Sequence, residues 1–328
     1  MVRLDVRTPR IDDLWFRPDG RSLIARTDEK LLEWPVGQFD AVRQTPPIPD
    51  HAESTFDPID CVAFSADLAW TALANPFDLL VLGPTGAGWG DDLPGHEVKL
   101  KFTPDGTVLW GLAQRFGARD TITCLIRWEV ATGGRSVELD APAYHDLIDP
   151  SPDHQRVAIR LASGNLISSG NRLHILDLAT RVWTSAGLLP FETRATAWTP
   201  DSQALLLGAS DGLAYLRATD GRLTVRSHGH SPPVEIAADP ARPSGDGAIT
   251  FASPGLVNAI AVHPTRPLAF TGHDDQTVRL WEWSESRITP VATFDWQIGR
   301  VTRVAVSPDG LLAAAAGTSG EIVAWDVE

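Results

Sequence analysis

Two short motifs in the sequence contain residue types that could support catalysis. Residues 208–212 (Gly-Ala-Ser-Asp-Gly) have the Gly-x-Ser-x-Gly spacing that exposes a nucleophilic serine on a turn from a strand into a helix. Residues 83–90 contain four glycines, as loops that bind phosphate do. However, residues 213–216 continue as an apolar strand, and neither Gly-Lys-Ser/Thr nor a helix pattern follows residue 90. We therefore interpret the first motif as a plain turn and the second as a loop.

Side chains that could bind a metal ion are sparse. His228 and His230 form a close pair, but no third ligand lies near them in the sequence, so surface or capping roles are favoured. The carboxylates of the predicted inner strands are scattered along the chain: Asp12, Asp13, Asp60, Asp146 and Asp149. The sequence therefore predicts no catalytic residue, no cofactor and no metal ion.

The composition limits the class of partner. The chain has 328 residues and a net charge of −14, which argues against nucleic acid or an anionic membrane as the main partner. An alternative is that this charge only keeps a Trp-rich surface soluble. The first residues lack the apolar run of a signal peptide, and no apolar stretch is long enough to span a membrane. Two cysteines, Cys61 and Cys124, favour a reducing compartment, although one inter-strand disulfide stays open. We expect a cytoplasmic, monomeric, acidic protein.

The elements that must position the functional residues repeat along the chain. Seven times an apolar stretch leads into a turn signal and then into a second apolar stretch. The turn signals lie at residues 17–20 (Arg-Pro-Asp-Gly), 65–67 (Ser-Ala-Asp), 103–106 (Thr-Pro-Asp-Gly), 151–153 (Ser-Pro-Asp), 199–201 (Thr-Pro-Asp), 263–264 (His-Pro) and 307–310 (Ser-Pro-Asp-Gly). The mean spacing of about 48 residues is typical of an array of small repeated units.

Each unit is predicted to be a small antiparallel sheet. In the last unit, residues 301–306 alternate as a strand, residues 307–310 form a turn, and residues 311–316 and 321–326 form two more strands. No segment sustains the apolar period of a helix. Four strands in each of seven units predict an all-β fold, a seven-bladed β-propeller that occupies residues 1–328 as one domain.

The two ends of the chain are predicted to complete the last blade together. The final unit stops after its third strand, whereas residues 1–6 resemble a strand that precedes the first unit. If residues 1–6 supply the missing fourth strand, the last blade has no exposed edge. The alternative is a flexible N-terminal tail.

The third strands carry a recognisable signature. Residues 272–282 and 317–326 each run from a glycine turn to a tryptophan, and both Trp281 and Trp325 lie 17 residues after the proline of their unit. The chain resembles the WD-repeat (Trp-Asp repeat) propeller family on this basis, strongly over residues 257–328 and loosely elsewhere. Asp326 completes the Trp-Asp pair of the last blade.

The resemblance implies a buried polar network within a blade. Thr271, Asp275 and Trp281 match three of the four family positions of this network. The fourth position, a Gly-His dipeptide at the start of the blade, is occupied by Gly255 and Leu256. In the last blade Ser319 stands where the network Asp would be.

Two irregular segments interrupt the repeats. Residues 44–58 form a Pro-rich connection between the first and second blades, and residues 231–255 form an insertion between the fifth and sixth. Within the insertion, residues 234–238 and 248–252 look like strands, so a hairpin excursion is favoured and an aborted eighth blade is the alternative. Long loops on a rigid scaffold can carry binding, or can serve as solvated spacers.

The resemblance also implies where a partner binds. The residues that begin each inner strand and the turns between second and third strands would line one face. The predicted contact residues on this face are Trp296, Arg300, Arg303, Tyr144, His145 and Arg194. An aromatic ring beside two arginines has the composition of an interface hot spot. The alternative is that Trp296 packs between blades next to solvated arginines.

The resulting hypothesis is a non-catalytic scaffold that binds protein or peptide partners. The competing hypothesis is a propeller enzyme, a metal-dependent hydrolase or lactonase with its site in the central channel. A third is a propeller that senses a small ligand or sugar, for which a deep aromatic pocket is expected.

Overall fold

The computed structural model of the chain describes residues 1–6, 11–27, 30–45, 61–94, 96–116, 121–142, 144–162, 172–189, 193–209, 212–221, 223–226, 234–236 and 256–327. All regular elements within these ranges are β-strands. They fall into two compact units, one formed by Met1–Pro47 with Leu189–Glu328 and the other by Ile48–Leu188. No helix among the described residues is long and apolar enough to cross a membrane.

The first unit contains four antiparallel sheets, which we call blades 1, 5, 6 and 7. Blade 1 consists of β2 (Asp13–Phe16), β3 (Ser22–Arg26), β4 (Leu31–Pro35) and β5 (Arg43–Thr45). Blade 5 consists of β18 (Thr196–Trp198), β19 (Ala204–Gly208), β20 (Leu213–Arg217), β21 (Leu223–Arg226) and a fifth strand, β22 (Val234–Ile236). Blade 6 consists of β23 (Val257–Val262), β24 (Leu268–His273), β25 (Thr277–Trp283) and β26 (Ile288–Asp295). Blade 7 consists of β27 (Val301–Val306), β28 (Leu312–Gly317), β29 (Glu321–Asp326) and β1 (Val2–Asp5).

The second unit contains three antiparallel sheets, which we call blades 2, 3 and 4. Blade 2 consists of β6 (Cys61–Phe64), β7 (Thr71–Ala74), β8 (Asp78–Leu82) and β9 (Gly88–Asp92). Blade 3 consists of β10 (His96–Phe102), β11 (Val108–Phe116), β12 (Thr121–Glu129) and β13 (Gly134–Pro142). Blade 4 consists of β14 (Tyr144–Pro150), β15 (Arg156–Ala162), β16 (Arg172–Asp177) and β17 (Trp183–Leu188).

Seven sheets of at least four antiparallel strands, met in chain order, are the blades of a seven-bladed propeller. The predicted fold class is therefore confirmed. The predicted closing strand is also confirmed, because β1 pairs antiparallel with β29 and Val2 lies opposite Ala324. Leu4 on this strand is buried against the apolar side chains of blades 7 and 1.

One hydrogen-bonded turn joins the first and second strands in five blades. A buried Ser or Thr donates its hydroxyl to the Asp two residues later, at 2.5–2.7 Å. The same hydroxyl oxygen accepts the N–H of the residue five positions later, at 2.9–3.1 Å. The hydroxyl residues are Ser65, Thr103, Ser151, Thr199 and Ser307. In blade 7, hydrogen bonds from Ser307 and from the backbone of Leu311 lower the pKa of Asp309. The predicted turn signals thus work through side-chain hydrogen bonds to the backbone.

Blade 6 builds this turn differently. His263 takes the place of the Ser or Thr and is 2% exposed. Its Nδ1 accepts the backbone N–H of Thr265 at 3.2 Å and of Arg266 at 3.0 Å. Burial and the nearby Arg266 charge lower the pKa of His263, so the neutral ring is favoured. At the position of Pro267 the other blades have a residue whose backbone N–H donates to the turn Asp, as Leu311 does to Asp309, and proline has no such N–H.

The apolar core lies between neighbouring blades. In the first unit, buried clusters join blade 5 to 6, blade 6 to 7, and blade 7 to 1. In the second unit, clusters join blade 2 to 3 and blade 3 to 4. Each sheet is therefore held by apolar packing on its neighbours as well as by its own hydrogen bonds. Cys61 and Cys124, both among the described residues, form no disulfide.

The predicted Gly-rich loop at residues 83–90 is wrong in its second half. Gly88 and Gly90 lie in β9, the outer strand of blade 2. A Cβ at position 88 would lie 1.9 Å from the Val81 carbonyl oxygen, so this strand approaches its neighbour too closely for a side chain. Trp89 fixes the strand, because its Nε1 donates to the Val130 carbonyl at 2.8 Å. Glycine here allows close strand packing.

Candidate partner-binding site

The loop that precedes the inner strand of blade 7 is fixed in place by the neighbouring turn of the same blade. The backbone N–H of Arg300 donates to Thr318 Oγ1 at 3.1 Å, and the Thr318 N–H donates to the Arg300 carbonyl at 3.0 Å. The Ser319 hydroxyl donates to the Ile298 carbonyl at 2.8 Å. Gly299 supplies the positive φ of 72° that lets the loop turn. Arg300 therefore projects from an ordered backbone, with its side chain 56% exposed.

Asp274 lies at the centre of a cluster that draws on three blades. It follows β24 in blade 6, and its Oδ1 accepts the Asn258 side-chain amide at 2.8 Å. The same Asn258 amide also donates to the Val301 carbonyl of blade 7 at 3.0 Å. Arg300 Nε lies 3.6 Å from Asp274 Oδ1, and Arg194 NH1 lies 4.0 Å from Asp274 Oδ2. The structure thus brings Arg194 and Arg300 to one carboxylate; we call these four residues the Asp274 cluster.

Arg303 has a different carboxylate partner. Its Nε lies 3.9 Å from Asp13 Oδ1 of blade 1, and its NH1 donates to the Thr302 carbonyl at 2.7 Å. Both charged side chains are well exposed, so this pair contributes little to the stability of the fold. The structure therefore separates Arg303 from the Asp274 cluster by its contacts.

Trp296 packs among aromatic side chains, which is the environment expected if this residue packs between blades. Its ring is stacked on Phe294, with centroids 5.2 Å apart, and lies 4.4 Å from the ring of Trp325. Its carbonyl oxygen accepts a hydrogen bond from Arg3 of the closing strand at 2.7 Å. Trp296 is partly buried in the core between blades 6 and 7. Trp296 therefore contacts different residues from those that Arg300 and Arg303 contact.

The residues of the implied blade network in blade 6 make two groups of hydrogen bonds. Trp281 Nε1 donates to Thr271 Oγ1 at 2.7 Å, and Thr271 Oγ1 lies 2.6 Å from His273 Nε2. Asp275 accepts from the Thr277 hydroxyl at 2.6 Å and from the Arg279 guanidinium. Thr271, His273 and Trp281 are all buried. His273, at the end of the second strand, thus supplies an imidazole to a blade that lacks the expected Gly-His dipeptide at its start.

Blade 7 lacks these polar side chains around its tryptophan. Trp325 lies opposite Ala313, as Trp281 lies opposite Ala269. By this register Ala315 takes the place of Thr271, and Gly317 takes the place of His273. Trp325 instead contacts Phe270 edge-on, with centroids 5.6 Å apart, as well as Trp296. Asp326 is exposed beside the N-terminal amine, 4.0 Å away.

Comparison with known proteins agrees with this geometry. The family model described as "WD domain, G-beta repeat" matches residues 248–282, which include most of blade 6. Striatin-3 of Bos taurus is 30% identical over 80 residues. A chain in the crystal structure of the Mitotic Checkpoint Complex aligns with a TM-score of 0.67 at 15% identity, and the alignment covers 99% of this chain and 91% of that one.

The chain is a seven-bladed β-propeller whose blade 6 matches a WD repeat. The match to Striatin-3 covers 22% of this chain and 10% of Striatin-3, so this propeller spans a small part of that relative. The likeness to the checkpoint chain concerns the fold alone. The hydrogen bond between Thr271 and Trp281 lies inside the residues that the family model matches.

For several predicted residues the structure describes no side chain. Tyr144 and His145 are in β14, and nothing is described of their side chains. The motif serine Ser210, the pair His228 and His230, and residues 46–60 and 237–255 also lie outside the described ranges. Among the side chains that are described, no three His, Cys, Asp or Glu residues form a group that could hold a metal ion.

Asp274 is the residue of the cluster that sequence reasoning missed. It precedes Asp275, which the resemblance singled out, and the two adjacent carboxylates turn to different partners. The position of Asp274 in the repeat could have identified it. Asp274 begins the turn between the second and third strands, and these turns were expected to line the binding face. Asn258 stands near the start of the inner strand β23, but its bridge from Asp274 to Val301 depends on how blades 6 and 7 pack.

Proposed function

We propose that this WD-repeat propeller is a non-catalytic scaffold that binds a protein or peptide partner through the Asp274 cluster. The observation that carries this proposal is the convergence of exposed Arg194 and Arg300 on Asp274, from three different blades. The ordered backbone at Arg300 favours binding, because this part of the chain loses little backbone freedom when a partner binds. We further propose that the chain acts as a monomer in the cytoplasm.

The comparisons support a protein partner rather than a substrate. The fold is shared with a chain that is part of an assembly, the Mitotic Checkpoint Complex. Propellers of many kinds share one architecture while their functions differ, so the side chains of the site must decide the function. Here the described site offers guanidinium and carboxylate groups in ionic contact, a composition typical of interface rims and anchors.

Capture from the native host tests the proposal. The wild-type chain and the double variant Arg194→Glu/Arg300→Glu would be used as bait, with Arg287→Glu as the matched control. Arg287 is also exposed and lies in blade 6, on the turn between β25 and β26. We expect a stoichiometric protein partner with the wild type and with Arg287→Glu, and its loss with the double variant. Equal capture by all three baits would refute a role for the cluster.

A further inference from the structure

The Asp274 cluster presents exposed guanidinium groups within an acidic protein. Arg194 NH1 and Arg300 Nε lie 4.0 Å and 3.6 Å from the carboxylate of Asp274, and both arginine side chains are exposed. The chain as a whole has a net charge of −14. At physiological ionic strength charges are screened beyond about 8 Å, so a ligand in contact with the arginines experiences mainly this local charge. The exposed Arg300 guanidinium can therefore attract an anion that the remainder of the chain repels.

Arg300 retains donors that can reach a ligand. Its Nε lies 3.6 Å from Asp274 Oδ1, which is an ionic contact but longer than a hydrogen bond. A guanidinium has five N–H donors in a planar fork that matches a carboxylate. Because the side chain is 56% exposed, a carboxylate from solvent can approach it without displacing core groups.

Asp274 is held so that it orients the arginines without covering them. Asn258 fixes its Oδ1 with a hydrogen bond of 2.8 Å, and Asn258 is itself anchored on the Val301 carbonyl. The Arg300 backbone is fixed separately by Thr318 at both its N–H and its carbonyl. The Asp274 carboxylate and the Arg300 backbone are thus held by two independent anchors.

We propose that the cluster binds a carboxylate side chain from an acidic segment of the partner protein, with Arg300 as the main contact and Arg194 beside it. This inference rests on the proposed scaffold function and names the chemistry of its partner. Asp274 competes with the incoming carboxylate by charge, and it also keeps both guanidinium groups directed at the same point.

Binding of a labelled decaglutamate peptide to the whole chain in 0.15 M salt tests the inference, with decalysine as the opposite-charge probe. We expect Arg300→Glu to weaken decaglutamate binding about tenfold, since an attraction is lost and a repulsion of similar size is added. Asp274→Asn keeps an oxygen that can accept from Asn258 and removes the competing charge, so it should tighten binding about threefold. Arg287→Glu carries the same charge change as Arg300→Glu at the other end of β25 and should bind nearly as the wild type does.

The outcomes separate this inference from the proposed function. Opposite effects of Arg300→Glu and Asp274→Asn, with Arg287→Glu unchanged, support it. Equal weakening by Arg300→Glu and Arg287→Glu, weaker binding by Asp274→Asn, or preference for decalysine overturns it. If decaglutamate fails to bind while capture of the native partner still depends on Arg194 and Arg300, the carboxylate inference fails and the scaffold function stands. Thermal unfolding of each variant shows that it is folded.

Discussion

Blades 6 and 7 solve the same structural problem in different ways. In blade 6 the central tryptophan, Trp281, is fixed by a buried hydrogen bond to Thr271, which also contacts His273. In blade 7 the corresponding positions are Ala315 and Gly317, and Trp325 packs on aromatic rings. One blade is held by a polar network and the other by close packing.

The difference is connected to the candidate site. A Cβ on Gly317 would lie 2.0 Å from the Ile298 carbonyl oxygen, so the loop before β27 occupies the space that a side chain such as His273 fills in blade 6. That loop carries Arg300. The absence of a side chain at position 317 therefore lets the loop pack tightly and hold Arg300 in place. Blade 7 lacks the hydrogen bonds of the blade network at these positions and instead has an ordered loop that carries Arg300.

The largest expected effect comes from closing this space. Gly317→Ala places a methyl group against the Ile298 backbone, which cannot rotate away, so we expect the free energy of unfolding to fall by about 3 kcal/mol. Denaturant unfolding measures this change. Gly134→Ala, where the nearest atom is the flexible Thr132 hydroxyl at 3.3 Å, is the control and should change stability much less. Equal effects of the two substitutions would contradict the account of blade 7.

The polar network of blade 6 can be removed with one isosteric substitution. Thr271→Val leaves Trp281 Nε1 and the His273 imidazole without the hydroxyl that they share. Burying these groups without the Thr271 hydroxyl should cost about 2 kcal/mol. The same substitution at exposed Thr293 on β26 should change the unfolding free energy by less than about 0.5 kcal/mol. A neutral Thr271→Val variant would show that packing alone holds both blades.

The pH dependence of the free energy of unfolding tests the turn of blade 6, which has His263 where five other blades have Ser or Thr. The pKa of His263 is lowered in the folded state, chiefly by burial, so the unfolded chain binds a proton more readily. The stability contributed by the neutral ring is therefore present above the unfolded pKa of about 6.5 and is lost as the pH falls below it. His263→Ser introduces the hydroxyl residue that five other blades have at this turn. We expect it to reduce the pH dependence of the free energy of unfolding in this range. An unchanged pH dependence would contradict the assignment to His263.

The smallest expected effect on stability is that of the site arginine. Arg300 is exposed and its ionic contact is long, so Arg300→Glu should change the free energy of unfolding by less than about 0.5 kcal/mol. The same denaturant measurement applies, with Arg287→Glu beside it. A loss as large as that of Gly317→Ala would mean that Arg300 supports the fold rather than a partner.

Much of the fold could be predicted from the sequence because it depends on local chemistry. The Ser/Thr-x-Asp turns satisfy their own backbone, so each turn marks a pair of strands wherever it occurs. The closing strand was predictable because the last unit lacks its fourth strand. Strand β9 was not predictable, since Gly88-Trp89-Gly90 resembles a loop until Trp89 meets Val130 of the neighbouring blade.

The site was predictable only in part. Arg194 and Arg300 were identified from their positions at the start of inner strands, which the repeat fixes. Their meeting at Asp274 depends on the packing of blades 5, 6 and 7, which no local pattern encodes. Trp296 illustrates the same limit, because its type fits both a hot spot and a core, and its contacts with Phe294 and Trp325 depend on the packing of blades 6 and 7.

The most direct measurement is an NMR titration that follows the arginine side-chain Nε–H resonances of the whole chain as decaglutamate is added. Arg194→Lys and Arg300→Lys variants assign the two relevant signals, and Arg287 serves as the internal control. The account predicts that the Arg300 signal shifts most, the Arg194 signal follows, and the Arg287 signal stays in place. Uniform shifts of all three signals, or none at Arg300, would contradict a built carboxylate site at Asp274.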